Sequence, residues 1–329
     1  MNRPISRRFL LAAAAALAAV GLAPFQASAQ NYPSKPVELV LAFGTGGVSD
    51  IIARTLAPAL EEKLGQRFIV QNMPGAGGTV AMQAVSKAGP DGYTLLNVGT
   101  SGPIKRTLMP NLPFDQVEDF EPVTPISNFG LVIVSAPDSQ FSTLEYLVNY
   151  ARENPGMVNI GTVSVGSTQY LAAKLFATVA GVDAAVIPYK SSPELMGGVA
   201  RGEVDVAFEI IAGAKSAIEN AQVVPLATTM AGRSKLYPDT PTVEEAGITP
   251  YDVSSWNGYS APNGVPEEVK TAINDAMREL LADPVIAEKL AAIGAETWIA
   301  TPQEMRTRQE QETEMWAKVI EDAGVPIEK

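Results

Sequence analysis

The residues with the most chemical consequence lie in a few short glycine-bearing turns. Phe43-Gly44-Thr45-Gly46-Gly47-Val48-Ser49-Asp50 and Pro74-Gly75-Ala76-Gly77-Gly78-Thr79 each follow an apolar run and open a helically spaced one. Gly99-Thr100-Ser101-Gly102 ends a third apolar run. A helix start leaves unpaired N–H groups and carries partial positive charge. Glycine lets a ligand approach that backbone closely. The first turn is therefore a candidate anion cradle, with Ser49 and Asp50 able to cap the helix instead. In a parallel sheet all three turns lie at the carboxyl edge, where α/β folds bind ligands.

A second group of turns offers a matching edge. Gly161-Thr162-Val163-Ser164-Val165-Gly166-Ser167-Thr168-Gln169 ends a strand and starts a helix, and Ser167 or Thr168 can cap it. Tyr189-Lys190-Ser191-Ser192 and Phe208-Glu209 end two further strands. Lys190 reads better as a solvated surface lysine than as a ligand contact. Glu209 would accept from a ligand hydroxyl or ammonium, or sit in a salt bridge beside the hinge.

Catalysis is hard to assemble from this inventory. The chain has no histidine and no cysteine. That removes a His base, Ser–His–Asp and Cys–His pairs, His/Cys zinc sites and disulfides. A serine nucleophile would need lysine as its base, and Lys190 points to the opposite face from its neighbour Ser191 on an extended chain. Gly-x-Ser-x-Gly is absent. The dinucleotide fingerprint fails at its third glycine, where Ser49 stands, and no acid follows the second strand at Gln71-Asn72. No cofactor is expected. The net charge is −12 without a basic run, so nucleic acid is not an expected partner.

These turns must be positioned by alternating strands and helices. Val37 to Phe43 is an almost unbroken apolar run, as in a strand covered on both faces. Ile51, Ile52, Leu56, Leu60 and Leu64 follow at helical spacing. Arg67–Gln71 and Tyr93–Val98 read as the next strands and Thr79–Lys87 as the intervening helix, giving parallel βα units. The proline-rich stretch from Pro103 to Pro125 reads as a crossover. A second α/β unit runs from strand Leu131–Ser135 to strand Val224–Thr228, with Ser142-Thr143-Leu144-Glu145 as a capping box. Trp256–Ala261 reads as a strand returning to the first unit. Helices then follow from Pro266 and Pro284, and a last one is opened by the capping box Thr301-Pro302-Gln303-Glu304. Two lobes joined by crossing segments enclose a cleft with a hinge.

The first residues have the form of an export signal. Arg3, Arg7 and Arg8 precede the apolar stretch Phe9–Leu22, and Ala27-Ser28-Ala29 is a small-residue cleavage site. Ser6-Arg7-Arg8-Phe9-Leu10-Leu11 resembles a twin-arginine signal. The stretch is short for a membrane span, and no cysteine follows it for lipid attachment. Removal of Met1–Ala29 takes away three arginines and no acid, leaving a more acidic chain expected in the periplasm.

From Tyr32 onward the chain resembles the Bug-type solute receptors of tripartite tricarboxylate transporters. The likeness is carried by Tyr32-Pro33-Ser34-Lys35-Pro36-Val37, by Gly46-Gly47 with Asp50-Ile51-Ile52-Ala53-Arg54, and by Asn72-Met73-Pro74-Gly75-Ala76-Gly77-Gly78. Pro90-Asp91-Gly92-Tyr93-Thr94-Leu95-Leu96, Val186-Ile187-Pro188-Tyr189-Lys190 and Pro241-Thr242-Val243-Glu244-Glu245-Ala246-Gly247 follow in family order. The resemblance implies an α/β, two-lobed, flytrap-like periplasmic-binding fold, each lobe a mostly parallel sheet flanked by helices, with two crossing strands as hinge. The expected division is a leader to residue 29, a first lobe over 30–128, a second over 129–253, and a return to the first with C-terminal helices over 254–329.

The same resemblance implies a small organic acid as ligand (a dicarboxylate, tricarboxylate, acidic amino acid or aromatic acid), inner-membrane permease subunits as partners, and a monomer that is not an enzyme. The expected ligand-binding set is Thr45, Gly46, Gly47, Val48, Ser49, Asp50, Gly77, Thr100, Ser101, Ser167, Thr168, Gln169, Tyr189 and Glu209. The chain departs from the family pattern at Gly44-Thr45, where prolines are usual, at Glu209-Ile210, where Asp-Asn is common, and at Gln169, where Ser or His is frequent. Two other classes of function stay open at this point: an exported Lys-based hydrolase or cofactor-bearing oxidoreductase, and a ligand-sensing module for a sensor kinase.

Overall fold

The computed structural model describes residues 32–327. The expected export signal over Met1–Ala29 lies outside the described residues. Strands β1 (Val37–Leu41), β2 (Phe68–Asn72) and β3 (Thr94–Gly99) pair in parallel, with β1 in the middle. The helices between them are α1 (Val48–Leu64) and α2 (Thr79–Ala88), the latter preceded by a 3-10 turn at Ala76–Gly78. A third helix, α3 (Ser101–Leu108), starts directly from β3.

The chain then enters β4 (Phe120–Ser135), a single strand shared by two sheets. Its residues 120–130 pair antiparallel with β9 (Ser254–Pro262), which itself lies against β3. The short β10 (Glu296–Thr297) also pairs with this part of β4. From Leu131 to Ser135, β4 instead pairs with β7 (Val206–Ile210) and β8 (Val224–Thr228). Parallel strands β5 (Val158–Val163) and β6 (Ala184–Tyr189) extend that second sheet from β7. The sheets are thus parallel on their outer parts and antiparallel around the two crossing segments.

Those segments run side by side. Ser254 pairs with Gly130. The Thr229 hydroxyl accepts from the Leu131 N–H at 3.1 Å and donates to the Val253 carbonyl at 2.6 Å.

Strand alternation distributes the apolar side chains over four layers. In the first sheet, Val37, Leu39 and Leu41 face α1, α8 (Glu267–Leu281) and α9 (Pro284–Ala291), whereas Val40 faces Met82 and Val85 of α2. In the second, Leu131 and Ile133 face α4 (Leu144–Glu153) and α5 (Thr168–Ala180), whereas Val132 and Val134 face α6 (Ser192–Ala200) and α7 (Ile211–Glu219). A one-residue slip in β4 would invert both sets.

Three differences from the sequence expectation have physical causes. The stretch from Pro103 to Pro125 is not a plain crossover. It contains α3, which tolerates Pro103 because the first helical turn needs no N–H partner there. It also contains the start of β4, where Pro122 and Pro125 fall at irregularities in the pairing with β9. The α4 helix is capped by Thr143, whose hydroxyl accepts from the Tyr146 N–H at 3.1 Å, and Glu145 closes no box. The last helix, α10 (Pro302–Asp322), begins with the expected Thr301–Glu304 box but does not stay with the first sheet. Met305 packs beside Val98, Phe120 and Trp256, while Trp316, Val319 and Ile320 join the second sheet's core. Ile104 and Leu108 of α3 enter that same second core.

Candidate functional site

A cavity of about 460 Å³ lies between the sheets, lined by Gly47, Val48, Ser49, Thr100, Ser101, Ser167, Thr168 and Gln169 among others. Three helices start on its wall: α1 and α3 from the first sheet and α5 from the second. Their partial positive ends converge, so a negatively charged group is favoured there without an arginine.

The α1 start is open to a ligand. Its N-cap is Gly47, and no side chain caps it. The first intrahelical donor is Ile51, whose N–H reaches the Gly47 carbonyl at 3.0 Å, so the N–H groups of Val48, Ser49 and Asp50 precede the helical ladder. Gly46 has φ +82°, a left-handed conformation that favours glycine.

Asp50 braces this turn and is not on the cavity wall. One carboxylate oxygen accepts from the Gly46 N–H at 2.9 Å and the other from Arg54 Nε at 3.0 Å. Arg54 also donates to Asn72 Oδ1 at 2.9 Å, and Asn72 Nδ2 donates to the Phe43 carbonyl at 3.1 Å. The Arg54 hydrogen bond and then the Gly46 N–H hold the Asp50 carboxyl below the usual carboxylate range. Gly46 therefore spends its N–H on Asp50. Thr45 and Gly46 are exposed and stand outside the cavity lining.

The α3 and α5 starts differ. Thr100 is buried, and its hydroxyl accepts from the Trp256 N–H at 3.2 Å, tying the turn to β9. Ser167 caps α5: its hydroxyl accepts from the Tyr170 N–H at 3.1 Å and donates to the Val163 carbonyl at 3.0 Å. What Ser167 leaves to the cavity is the helix start it orients, at Thr168 and Gln169.

Glu209 and Tyr189 are likewise not on the wall. Glu209 is 1% exposed and lies behind Gln169. Gln169 Nε2 donates to Glu209 Oε1 at 2.8 Å, and the Ile210 N–H donates to the same oxygen at 2.7 Å. Burial pushes the Glu209 carboxyl above the usual range. Tyr189 sits on the outer strand β6, packed over Gly198, with its hydroxyl donating to Glu203 at 3.4 Å. Gly77 lies in the 3-10 turn before α2.

Several wall residues escape the sequence reading. Asn97 and Asn257 stand on the same sheet face, two registers apart on β3 and β9, and both are about nine-tenths or more buried. The Ser127 hydroxyl donates to Asn257 Oδ1 at 2.8 Å, and Asn97 Nδ2 donates to the Gly258 carbonyl at 3.3 Å. Asn257 Nδ2 and Asn97 Oδ1 have no protein partner. A lone Asn inside the apolar run Leu95-Leu96-Asn97-Val98 was the available signal. Phe43 and Val165 are exposed apolar side chains on the wall, from the turns after β1 and β5, and Phe129 and Ile210 add further apolar surface. Lys105, one turn along α3 from Ser101, is also on the wall. Among the described residues no cluster of acidic side chains could hold a metal ion, and no helix is long and apolar enough to cross a membrane.

Comparison with known proteins agrees with this architecture. The model of the tripartite tricarboxylate transporter family receptor, TctC, matches residues 52–325. Protein BugT of Bordetella pertussis is 32% identical over 306 residues, which cover 91% of this chain and 93% of BugT. The structure of R. palustris Rpa4515 with adipate is 32% identical, with a TM-score of 0.77 over 90% of this chain and 99% of that one. MatC from Rhodopseudomonas palustris with bound malate is 26% identical, with a TM-score of 0.72 over 88% of this chain and 100% of that one. The chain belongs to the tripartite tricarboxylate transporter receptor family, and it is a solute-binding receptor, not an enzyme.

Proposed function

We propose that this chain is exported to the periplasm, captures a small organic carboxylate in the cavity between its sheets, and presents the loaded form to the permease subunits of a tripartite transporter. The observation that carries this is the convergence of three helix starts, from both sheets, on one cavity. The adipate and malate held by two relatives support the same ligand class.

One carboxylate docks on the open start of α1 and meets α5 from the other side. Main-chain N–H groups and the Gln169 amide grip it. Thr45, Gly46, Asp50 and Glu209 act one step back, by shaping the turn or orienting Gln169. The lobes are taken as 30–128 with 254–329, and 129–253, with α10 anchored in both. Each hydrogen bond to a charged group contributes roughly 1.5–3 kcal/mol net. Four or five of them reach about −8 kcal/mol after ordering costs, a micromolar Kd. Ligand favours the closed form only by its differential affinity for it.

Calorimetry of the purified protein against mono-, di- and tricarboxylates, acidic amino acids and aromatic acids tests the proposal. Micromolar binding of at least one is expected. A folded protein that gives no heat with any of them would overturn it.

A further inference from the structure

Lys105 is the one residue with an ionisable side chain on the cavity wall among the described residues. No acidic residue lines the cavity with it. The residue also borders a smaller cavity of about 50 Å³ behind α3, and its ammonium lies against Gly78, at the end of the second glycine-rich turn. Ser101 and Lys105 are four residues apart on α3, and so share a helix face.

We infer that Lys105 is a specificity-determining contact, the cation that receives a second anionic group of the ligand once the first carboxylate rests on the helix starts. The inference rests on the receptor function proposed above and deepens it. Three features support it. An ammonium has three donors, so it can meet a ligand while it also keeps a contact within the protein. Burial pushes the Lys105 ammonium below its ordinary range, and a bound anion would offset that desolvation. The same wall also carries Phe43, Val48 and Phe129, apolar side chains that suit an apolar spacer. A monoacid engages the helix starts alone; a diacid engages both the helix starts and Lys105.

The test compares acids of equal chain length on the purified full chain by calorimetry: butyrate with succinate, hexanoate with adipate, octanoate with suberate. Wild-type protein should prefer the diacid by at least about tenfold in one pair or more, the scale of one charge-assisted hydrogen bond. Lys105→Met should collapse that preference to within about threefold, and Lys105→Arg should keep most of it. A purely structural role would weaken both acids in parallel. If Lys105→Met does not fold, Lys105→Gln replaces it, and the wild-type ratio stands by itself. No wild-type diacid preference in any pair, or a preference retained in the neutral variant, would overturn the role of Lys105 while leaving the receptor function intact. No binding of any carboxylate in the wider panel would overturn both.

Discussion

Gln169 Nε2 donates to Glu209 Oε1 at 2.8 Å, so an amide on the cavity wall is held by a carboxyl that is itself off the wall. The two come from different elements, the start of α5 and the end of β7. The same carboxyl oxygen accepts the Ile210 N–H, which joins β7 to α7. Under the proposed function, Glu209 positions Gln169. Glu209→Ala would leave Gln169 Nε2 and the Ile210 N–H without this acceptor, costing about 1–3 kcal/mol of stability. Carboxylate affinity should fall severalfold. Denaturant unfolding and calorimetry check the two effects, and unchanged affinity would remove Gln169 from the site.

The same carboxyl gives a pH dependence of defined sign. Its folded-state pKa lies above the ordinary 4.5 because of burial. The folded state then holds the proton longer than the unfolded state does. Stability should fall as pH rises from about 4.5 through the raised value. Glu209→Gln keeps an acceptor oxygen and removes the titration. The stability difference, variant minus wild type, should grow over that window and level off above it. A difference that does not vary with pH would show that Glu209 titrates normally.

Gly47→Val tests the open helix start. An added Cβ would meet only the Gly44 carbonyl, at 3.8 Å, so the substitution fits sterically. Valine is a poorer N-cap than glycine, a cost below about 1 kcal/mol. Its methyls would stand over the unpaired N–H groups. Binding should weaken at least about tenfold with a small change in Tm, and unaltered affinity would exclude the α1 start as the cradle.

Gly166→Ala probes the approach of the two halves. Gly166 has φ +77°, and a Cβ there would lie 2.6 Å from Leu108 Cδ1 of α3. Backbone strain and this clash together should lower stability by about 1–3 kcal/mol. Leu108→Ala removes the clash, so the double variant should be more stable than the sum of the single effects. Strict additivity would mean that the two do not touch in solution.

Arg308→Met tests the opposite side of the crossing. Arg308 stacks on Trp298 at 4.7 Å, donates to Asn128 Oδ1 at 2.6 Å and Ser254 Oγ at 2.9 Å, and pairs with Glu312 at 2.8 Å. Glu312 is 8% exposed and also accepts from Trp256 Nε1 at 2.8 Å. Losing Arg308 leaves a buried carboxylate without its cation and should cost about 3 kcal/mol. Adding Glu312→Gln should recover part of that loss in thermal unfolding; no recovery would assign the cost to the stacking on Trp298 and the hydrogen bonds to Asn128 and Ser254.

The first βα unit and the last helix were legible because each carried a strong local signal: the unbroken run of β1, the 3.6-residue spacing of α1, the Thr301–Glu304 box of α10. The centre of the fold was harder to read. Pro103, Pro122 and Pro125 signal loops locally, but the first turn of a helix and irregular points of a strand accept them. Of the site, the turns at Gly47–Ser49, Thr100–Ser101 and Ser167–Gln169 were visible as glycine and hydroxyl clusters at strand ends. Asp50, Glu209 and Tyr189 share those strand ends. Whether a strand-end side chain faces the cavity or the layer behind it depends on packing between elements far apart in the chain. Asn97, Asn257 and Lys105 were missed for the same reason: pairing of β3 with β9, and the helical state of α3, bring them to the wall.

The closing helix α10 is embedded at its first turn among Val98, Phe120 and Trp256, and at its far end in the apolar layer around Phe176 and Leu147. A rod pinned in both halves restricts how far they can swing apart, because a wide gape would drag Trp316 or Met305 out of its socket. Empty and loaded shapes should then differ by a modest rotation, and any membrane component that tells them apart must read small displacements around the rim of the mouth.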